Sequence, residues 1–275
     1  MVGYNSEYKV LEANGDLAKR KEYWKLAKGL QQTDGLDTSE YLETVISATL
    51  SGEYGIQDAK KALDKHYSGV MYGCVGADVM EADIVSARIV ELLEMDDFKF
   101  SPIMLRSIHE RLFHDVLPFK WVGQWRKENI SKEQDILNGR TVQYADYREI
   151  ANFLSYDFDQ EKGSKYTLSF DDDQVKTLTE FISAIWQTHP FREGNTRTIS
   201  TFLIKYLRKM GVEINIDPFI EHSKWFRDAL VRHNYSSLKE GVYPEPKYLT
   251  KFFENILLGA RHDLASLDLR CEELF

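Results

Sequence analysis

Cysteine is scarce in this chain, with only Cys74 and Cys271 among 275 residues. So low a count excludes a disulfide framework and points to a reducing compartment. No Cys/His cluster stands at metal-ligand spacing, which argues against a zinc site. Positive charge is also in deficit: 35 Lys and Arg against 44 Asp and Glu leave a net charge of -9. A chain whose main partner is DNA or RNA would be basic, so nucleic acid is not the expected partner. Long hydrophobic runs are missing, and nothing approaches the roughly 18 apolar residues of a membrane helix. The first twenty residues, MVGYNSEYKVLEANGDLAKR, hold no apolar segment of the kind a secretory signal needs. A soluble cytoplasmic protein without a membrane partner is expected.

Strand signals are few as well, and helical ones dominate. Leu105, Ile108, Leu112 and Val116 recur at spacings of three and four. Val175, Leu178, Ile182, Ile185 and Trp186 do the same, as do Ile199, Phe202, Leu203, Tyr206, Leu207 and Met210. Each set turns one apolar stripe toward a core. The best strand signal is the pair of short runs flanking Asn138-Gly139, a dipeptide that favours a tight hairpin turn. The fold class expected is all-α with one small β-hairpin near residues 133–145.

The first 67 residues read as a separate helical unit, leaving 68–275 as the main domain. One helix is expected from about Asp16 to Gln32. Asp37-Thr-Ser-Glu40 offers a capping box to a second, along Tyr41, Leu42, Val45, Ile46, Thr49 and Leu50. Ile56, Ala59 and Leu63 mark a third. Three short helices bury little area alone, so the unit is expected to dock on the rest. The segment around Tyr67–Gly73 is its natural boundary.

Chemistry concentrates in His189-Pro-Phe-Arg-Glu-Gly-Asn-Thr-Arg197, between two amphipathic helices. A helix N-terminus presents unpaired N–H groups and the positive end of its dipole, which suits an anion. Gly194 lets the backbone approach a phosphate closely, and Arg197 can fork onto phosphate oxygens. Glu193 supplies a hard oxygen for Mg²⁺, and His189 can take a proton from an attacking hydroxyl. Phe191, between polar neighbours, is placed inward as an anchor. Taken singly, each residue has a commoner structural explanation; within nine positions the set points to phosphate handling.

The segment resembles the signature of the Fic family, H-x-F-x-(D/E)-G-N-G-R-x-x-R. It reads here as His189, Phe191, Glu193, Gly194, Asn195 and Arg197, with Thr196 at the second glycine. The flanks are similar too, through Ile108–Val116, Gly123-Gln-Trp-Arg126 and Asn129–Lys132 upstream, and Trp225–Leu230 with Asn234-Tyr235 downstream. The resemblance implies transfer of AMP from Mg-ATP to a Ser, Thr or Tyr hydroxyl of a target protein. It gives His189 the role of general base and Glu193 that of Mg²⁺ ligand. Phe191, Gly194, Asn195, Thr196, Arg197 and Asn234 would bind the nucleotide. The hairpin at Asn138-Gly139 would be a flap that pairs with an extended target segment.

Two departures keep alternatives open. Thr196 puts a branched side chain where the backbone meets phosphate, and Ser200 stands where the family's last arginine would grip the γ-phosphate. The Doc-type branch shares both departures and moves the γ-phosphate instead, so phosphotransfer competes with AMP transfer. A catalytically weak binding module is the third reading. Residues 1–67 resemble the small antitoxin that inhibits some Fic proteins, fused in cis, which suggests a toxin–antitoxin origin. At one register the antitoxin's acidic position falls on Asp34, followed by Gly35, in a regulatory role; a rival register, Ser47-Ala-Thr-Leu-Ser51-Gly52, keeps the serine and the glycine but lacks the acid. That acid normally pairs with the arginine replaced by Ser200. Inhibition is therefore expected to be weak or rewired, with Asp34 reaching Arg197. The target protein, its modified residue and self-association are not legible.

Overall fold

The apolar stripes become the buried faces of helices in the computed structural model, which describes residues 14–265 and 269–275. Residues 1–13, the start of the N-terminal unit, lie outside the described residues. Helix α1 spans Asn14–Gln31, α2 Glu40–Leu50 and α3 Ile56–His66. Then come α4 (Ala77–Glu94), α5 (Pro102–Phe113), α6 (Ile150–Lys162), α7 (Asp172–Thr188), α8 (Asn195–Lys209), α9 (Asp217–Asn234) and α10 (Lys247–Leu257). Every residue of α8 from Asn195 to Leu207 is buried, so α8 is the central rod around which the others pack.

Helix α1 lies on α4 and α9. Its Trp24 and Leu30 belong to the same apolar cluster as Ile89 of α4, Leu203 of α8 and Phe226 of α9. Trp24 also donates its indole N–H to Thr49 Oγ1 of α2 at 3.0 Å. Docking of the first helices on the rest is thus built from large buried side chains. The capping residue of α2 differs from the expected one. Ser39, not Asp37, accepts from the Leu42 N–H at 3.1 Å. Ser39 is held in place by Asp83 of α4, whose carboxylate takes both its N–H and its hydroxyl.

The expected β-hairpin at 133–145 is the main correction. The turn is present, with Asn138 and Gly139 both left-handed at φ 51° and 78°. The Gln134 N–H donates to the Arg140 carbonyl at 2.9 Å across it. No ladder follows, because Asp135–Leu137 close into a 3-10 turn and the Lys132 N–H goes to the Thr141 side chain instead of a backbone carbonyl. Among the described residues the sole β-pairing is an isolated bridge between Ser237 and Val242. The loop is braced by its neighbours. Cys271 N–H donates to the Ile136 carbonyl at 2.9 Å, Asn138 Nδ2 to the Leu274 carbonyl at 2.7 Å, and Arg140 pairs with Glu240. The C-terminal segment of the chain therefore holds the tip on which a target was expected to dock.

Candidate active site

Helix α7 ends at His189, which adopts φ 47° as its left-handed cap and so turns the chain sharply into the loop. His189 Nδ1 lies 3.1 Å from the Trp186 carbonyl, which fixes the proton on Nδ1 and leaves the Nε2 lone pair available. The ring stacks on Tyr144, their centroids 4.0 Å apart. Burial pushes the imidazole pKa down to about 3, so in this closed arrangement His189 is neutral with Nε2 unprotonated.

The loop beyond it is built rigidly. Phe191 is fully buried and stacks on His109 of α5 at 3.9 Å. His109 accepts from the Gly123 N–H on Nδ1, so its Nε2 donates to the Glu193 carbonyl at 3.1 Å. The Asn195 amide bridges back to both the N–H and the carbonyl of Phe191, each at 2.9 Å. Gly194 caps α8 at φ 73°, and a β-carbon there would meet the Phe113 ring at 2.4 Å. Arg126 completes the frame. Its guanidinium donates to the carbonyls of His189 (2.8 Å), Glu128 (2.8 Å) and Ala145 (2.5 Å), tying the roots of the 133–145 loop to the end of α7. Thr196 Oγ1 accepts from the Trp186 indole at 3.1 Å, which leaves its own hydrogen free to donate.

Charge in the site is tightly paired. Arg197 is fully buried, its guanidinium 4.9 Å from the centre of the Phe113 ring. Nη2 donates to Glu81 Oε1 at 2.6 Å and Nη1 to Gln31 Oε1 at 3.2 Å. Nε stands 2.9 Å from Asp34 Oδ2, an ion pair rather than an aligned hydrogen bond. Burial alone would raise the Asp34 carboxyl, but Arg197, Lys132 and Arg227 hold it below its ordinary value. Glu81 goes the other way, pushed up by burial that Arg197 offsets only in part. Lys132 spans two carboxylates, with Nζ 3.4 Å from Asp34 and 3.7 Å from Glu193. Glu193 Oε1 also takes the Gly194 N–H at 3.0 Å, so the carboxylate fills the nearest backbone donor itself.

Asp34, Lys132, Gln134, Tyr144, Trp186, His189, Glu193, Asn195, Thr196 and Arg227 enclose a cavity of about 10 Å³. That is room for a single water and not for a nucleotide. Of the residues singled out in the sequence, His189, Glu193, Asn195, Thr196 and Asp34 meet at this cavity, and Arg197 touches it through Asp34. Gly35 follows Asp34 without lining the cavity and caps the 3-10 turn Gln32–Asp34 at φ 69°. Phe191 faces the core. Asn234 lies elsewhere, its amide donating to Ser183 Oγ and the Leu230 carbonyl. Sequence reading missed Gln31, Glu81, Lys132 and Arg227. Gln31 lay within the expected first helix, where a polar residue on the docked face needs a partner; Glu81 lay in a segment with no sequence signal.

Residues 99–207 match the family model described as Fic/DOC family. The chain is 26% identical over 158 residues to the protein adenylyltransferase VbhT of Bartonella schoenbuchensis, covering 54% of this chain and 31% of that one. It is 28% identical over 156 residues to the probable protein adenylyltransferase y4lH of Sinorhizobium fredii, covering 56% and 75%. This chain thus spans under a third of the length of VbhT. The N-terminal FIC domain of Bep8 from Bartonella sp. 1-1C superposes with a TM-score of 0.52 at 17% identity, over 69% of this chain and 88% of that one, a likeness of fold. The rigid His189–Arg197 loop at the head of a buried central helix thus belongs to a Fic/DOC family domain at residues 99–207 of this chain.

Proposed function

We propose that the protein transfers AMP from ATP to a hydroxyl of a target protein, and that residues 1–67 act as an antitoxin-like segment controlling the Fic domain at 68–275. The observation that carries the reading is the His189 tautomer. With Nδ1–H committed to the Trp186 carbonyl, Nε2 is left as the lone pair of a ring that lines the cavity. In the reaction a target Ser, Thr or Tyr oxygen attacks the α-phosphorus, the bond to the β-phosphate oxygen breaks, and pyrophosphate leaves. His189 Nε2 takes the hydroxyl proton. The Gly194–Arg197 turn places the N-terminus of α8, with its positive dipole end, against the phosphates. Names of relatives support the class of reaction, since VbhT and y4lH are called protein adenylyltransferases, the latter as probable.

Mg²⁺ fits the residues present. Among the described residues no group of three His, Cys, Asp or Glu is assembled to hold a metal. Glu193 stands as a single carboxylate, and Mg²⁺ often takes one carboxylate and draws the rest of its shell from phosphates and water. Bound there, the ion would neutralise charge on the phosphates. Asp34 and Gly35 are read as the regulatory pair. The Asp34–Arg197 contact supports the rewired version of inhibition, made to the arginine that remains because Ser200 offers none. The cavity is closed by the same contact, so Asp34 must withdraw before a nucleotide enters.

Ser200 also favours a second reading, transfer of the γ-phosphate. The 275-residue chain and its Asp34→Ala variant, incubated with a lysate and ATP labelled on either phosphate, separate the two. Protein-bound label from the α-position, lost in His189→Ala, is the expected result. Label from the γ-position alone means phosphotransfer. Label from neither, in both proteins, defeats the enzymatic reading and leaves a binding module.

A further inference from the structure

We infer that Lys132 and Arg227 form the subsite for the terminal phosphates of the nucleotide, in place of the cation that position 200 lacks. The inference rests on the nucleotide-transfer reading above. Ser200 is fully buried on α8, and its Oγ has no hydrogen-bond partner. A neutral, fully buried hydroxyl there supplies no positive charge for a phosphate. Arg197 is committed to Asp34, Glu81 and Gln31 and is buried behind the loop. The cations that line the cavity beside His189 and Glu193 are Lys132 and Arg227. They arrive from separate elements, the root of the 133–145 loop and α9, and line one cavity with His189.

The Asp34 carboxylate marks the anion position. Arg197 Nε lies 2.9 Å from it and Lys132 Nζ 3.4 Å. Arg227 lines the same cavity and acts on the same carboxyl. An anion held by Arg197 and Lys132, with Arg227 lining the same cavity, is a protein-borne substitute for a phosphate oxygen. Formal charges lining the cavity balance at present, Asp34 and Glu193 against Lys132 and Arg227. Withdrawal of Asp34 leaves a net positive mouth that an incoming polyphosphate would neutralise.

The other partners of these cations leave them available. Arg227 donates to the neutral Gln134 amide oxygen and contacts Asp228 Oδ1 at 3.2 Å. The Lys132 side chain is 41% exposed, so its ammonium can swing from Asp34 to a ligand without crossing the core. A lysine point charge and a flat arginine fork are the two ways proteins hold phosphate.

The subsite reads the number of phosphates, and that is how it is tested. The 275-residue chain carrying Asp34→Ala is titrated calorimetrically with a non-hydrolysable ATP analogue and with AMP, each with Mg²⁺. The same titrations follow after adding Arg227→Ala, Arg227→Lys or Lys132→Ala. Arg227→Ala is expected to weaken the triphosphate at least tenfold and AMP less than twofold, with Arg227→Lys recovering part of the loss. Lys132→Ala, on an exposed loop, is expected to act in the same direction even if Arg227→Ala proves unstable. Retained AMP binding certifies that each variant is folded. Equal losses for both ligands, or no loss for the triphosphate, overturn the subsite alone. Failure of Asp34→Ala itself to bind either nucleotide overturns the nucleotide reading together with it.

Discussion

At position 194 the backbone needs φ 73°, and the Phe113 ring fills the space a side chain would use. Left-handed conformation costs a non-glycine residue about 1–2 kcal/mol, and overpacking a buried site adds about as much again. Gly194→Ala should therefore lose at least about 2 kcal/mol in urea unfolding and lose nucleotide binding with it. An unchanged midpoint would mean that Phe113 yields freely. Ser200 predicts the opposite sign. Its unpaired buried hydroxyl is a cost of folding, so Ser200→Ala should be neutral or stabilising by up to about 1 kcal/mol. Residues inside the motif were legible because a loop that handles phosphate packs its polar types into nine consecutive positions. Gln31 and Glu81 were not, because each reaches the site from a separate helix with no local pattern, and Lys132 and Arg227 stood in flanking segments of the resemblance that assigned them no role. Thr196 shows a further limit. Its position told of contact with phosphate, while its hydroxyl in the structure accepts the Trp186 indole N–H.

Elements meet in ways that pattern alone forecast unevenly. Helix positions followed from apolar spacing, since a stripe that must be buried leaves the helix little choice. The 133–145 loop did not become a hairpin, although Asn138-Gly139 made the turn it promised. A hairpin ladder needs side chains that pair across it, and here Thr141 and the C-terminal segment take the backbone groups instead. A buried acid links α6 to α8. Glu161 accepts from Tyr206 and Tyr166 hydroxyls, each at 3.0 Å. Burial raises its pKa to about 7, despite those hydrogen bonds. A carboxyl raised in the folded state favours folding while it stays protonated. That contribution is complete below the unfolded value near 4.5 and is lost as pH climbs through about 7. The wild type should thus weaken by on the order of 3 kcal/mol between those limits from this group. Glu161→Gln should flatten that part of the profile, measured as urea midpoints from pH 4.5 to 8. A parallel profile in the variant would place the titration elsewhere.

Over the whole molecule, the N-terminal helices and the rest of the chain are joined by close backbone contact as well as by charge. Gly29 sits where α1 crosses α9, and a β-carbon there would lie 2.6 Å from the Ile220 carbonyl oxygen and 2.7 Å from its Cα. Both atoms are backbone, so α1 and α9 would have to part. Asp34 follows five residues later on a 3-10 turn that itself packs on α9. Separating the helices should therefore draw Asp34 away from Arg197. Deleting residues 1–67 is a poorer test, because Trp24, Leu26, Ala27 and Leu30 cover apolar surface that would then be bare. Two point variants isolate the effect. Asp34→Ala leaves Arg197 with Glu81 and Gln31, so it should raise label transfer strongly while unfolding near the wild-type midpoint. Gly29→Ala should raise transfer too, and lose roughly 1–3 kcal/mol of stability by overpacking. If Gly29→Ala is destabilised yet transfers no more label than the wild type, the crossing of α1 over α9 does not hold Asp34 in place. The ion pair would then close the site unaided, and its geometry would depend on Lys132 and Arg197 alone.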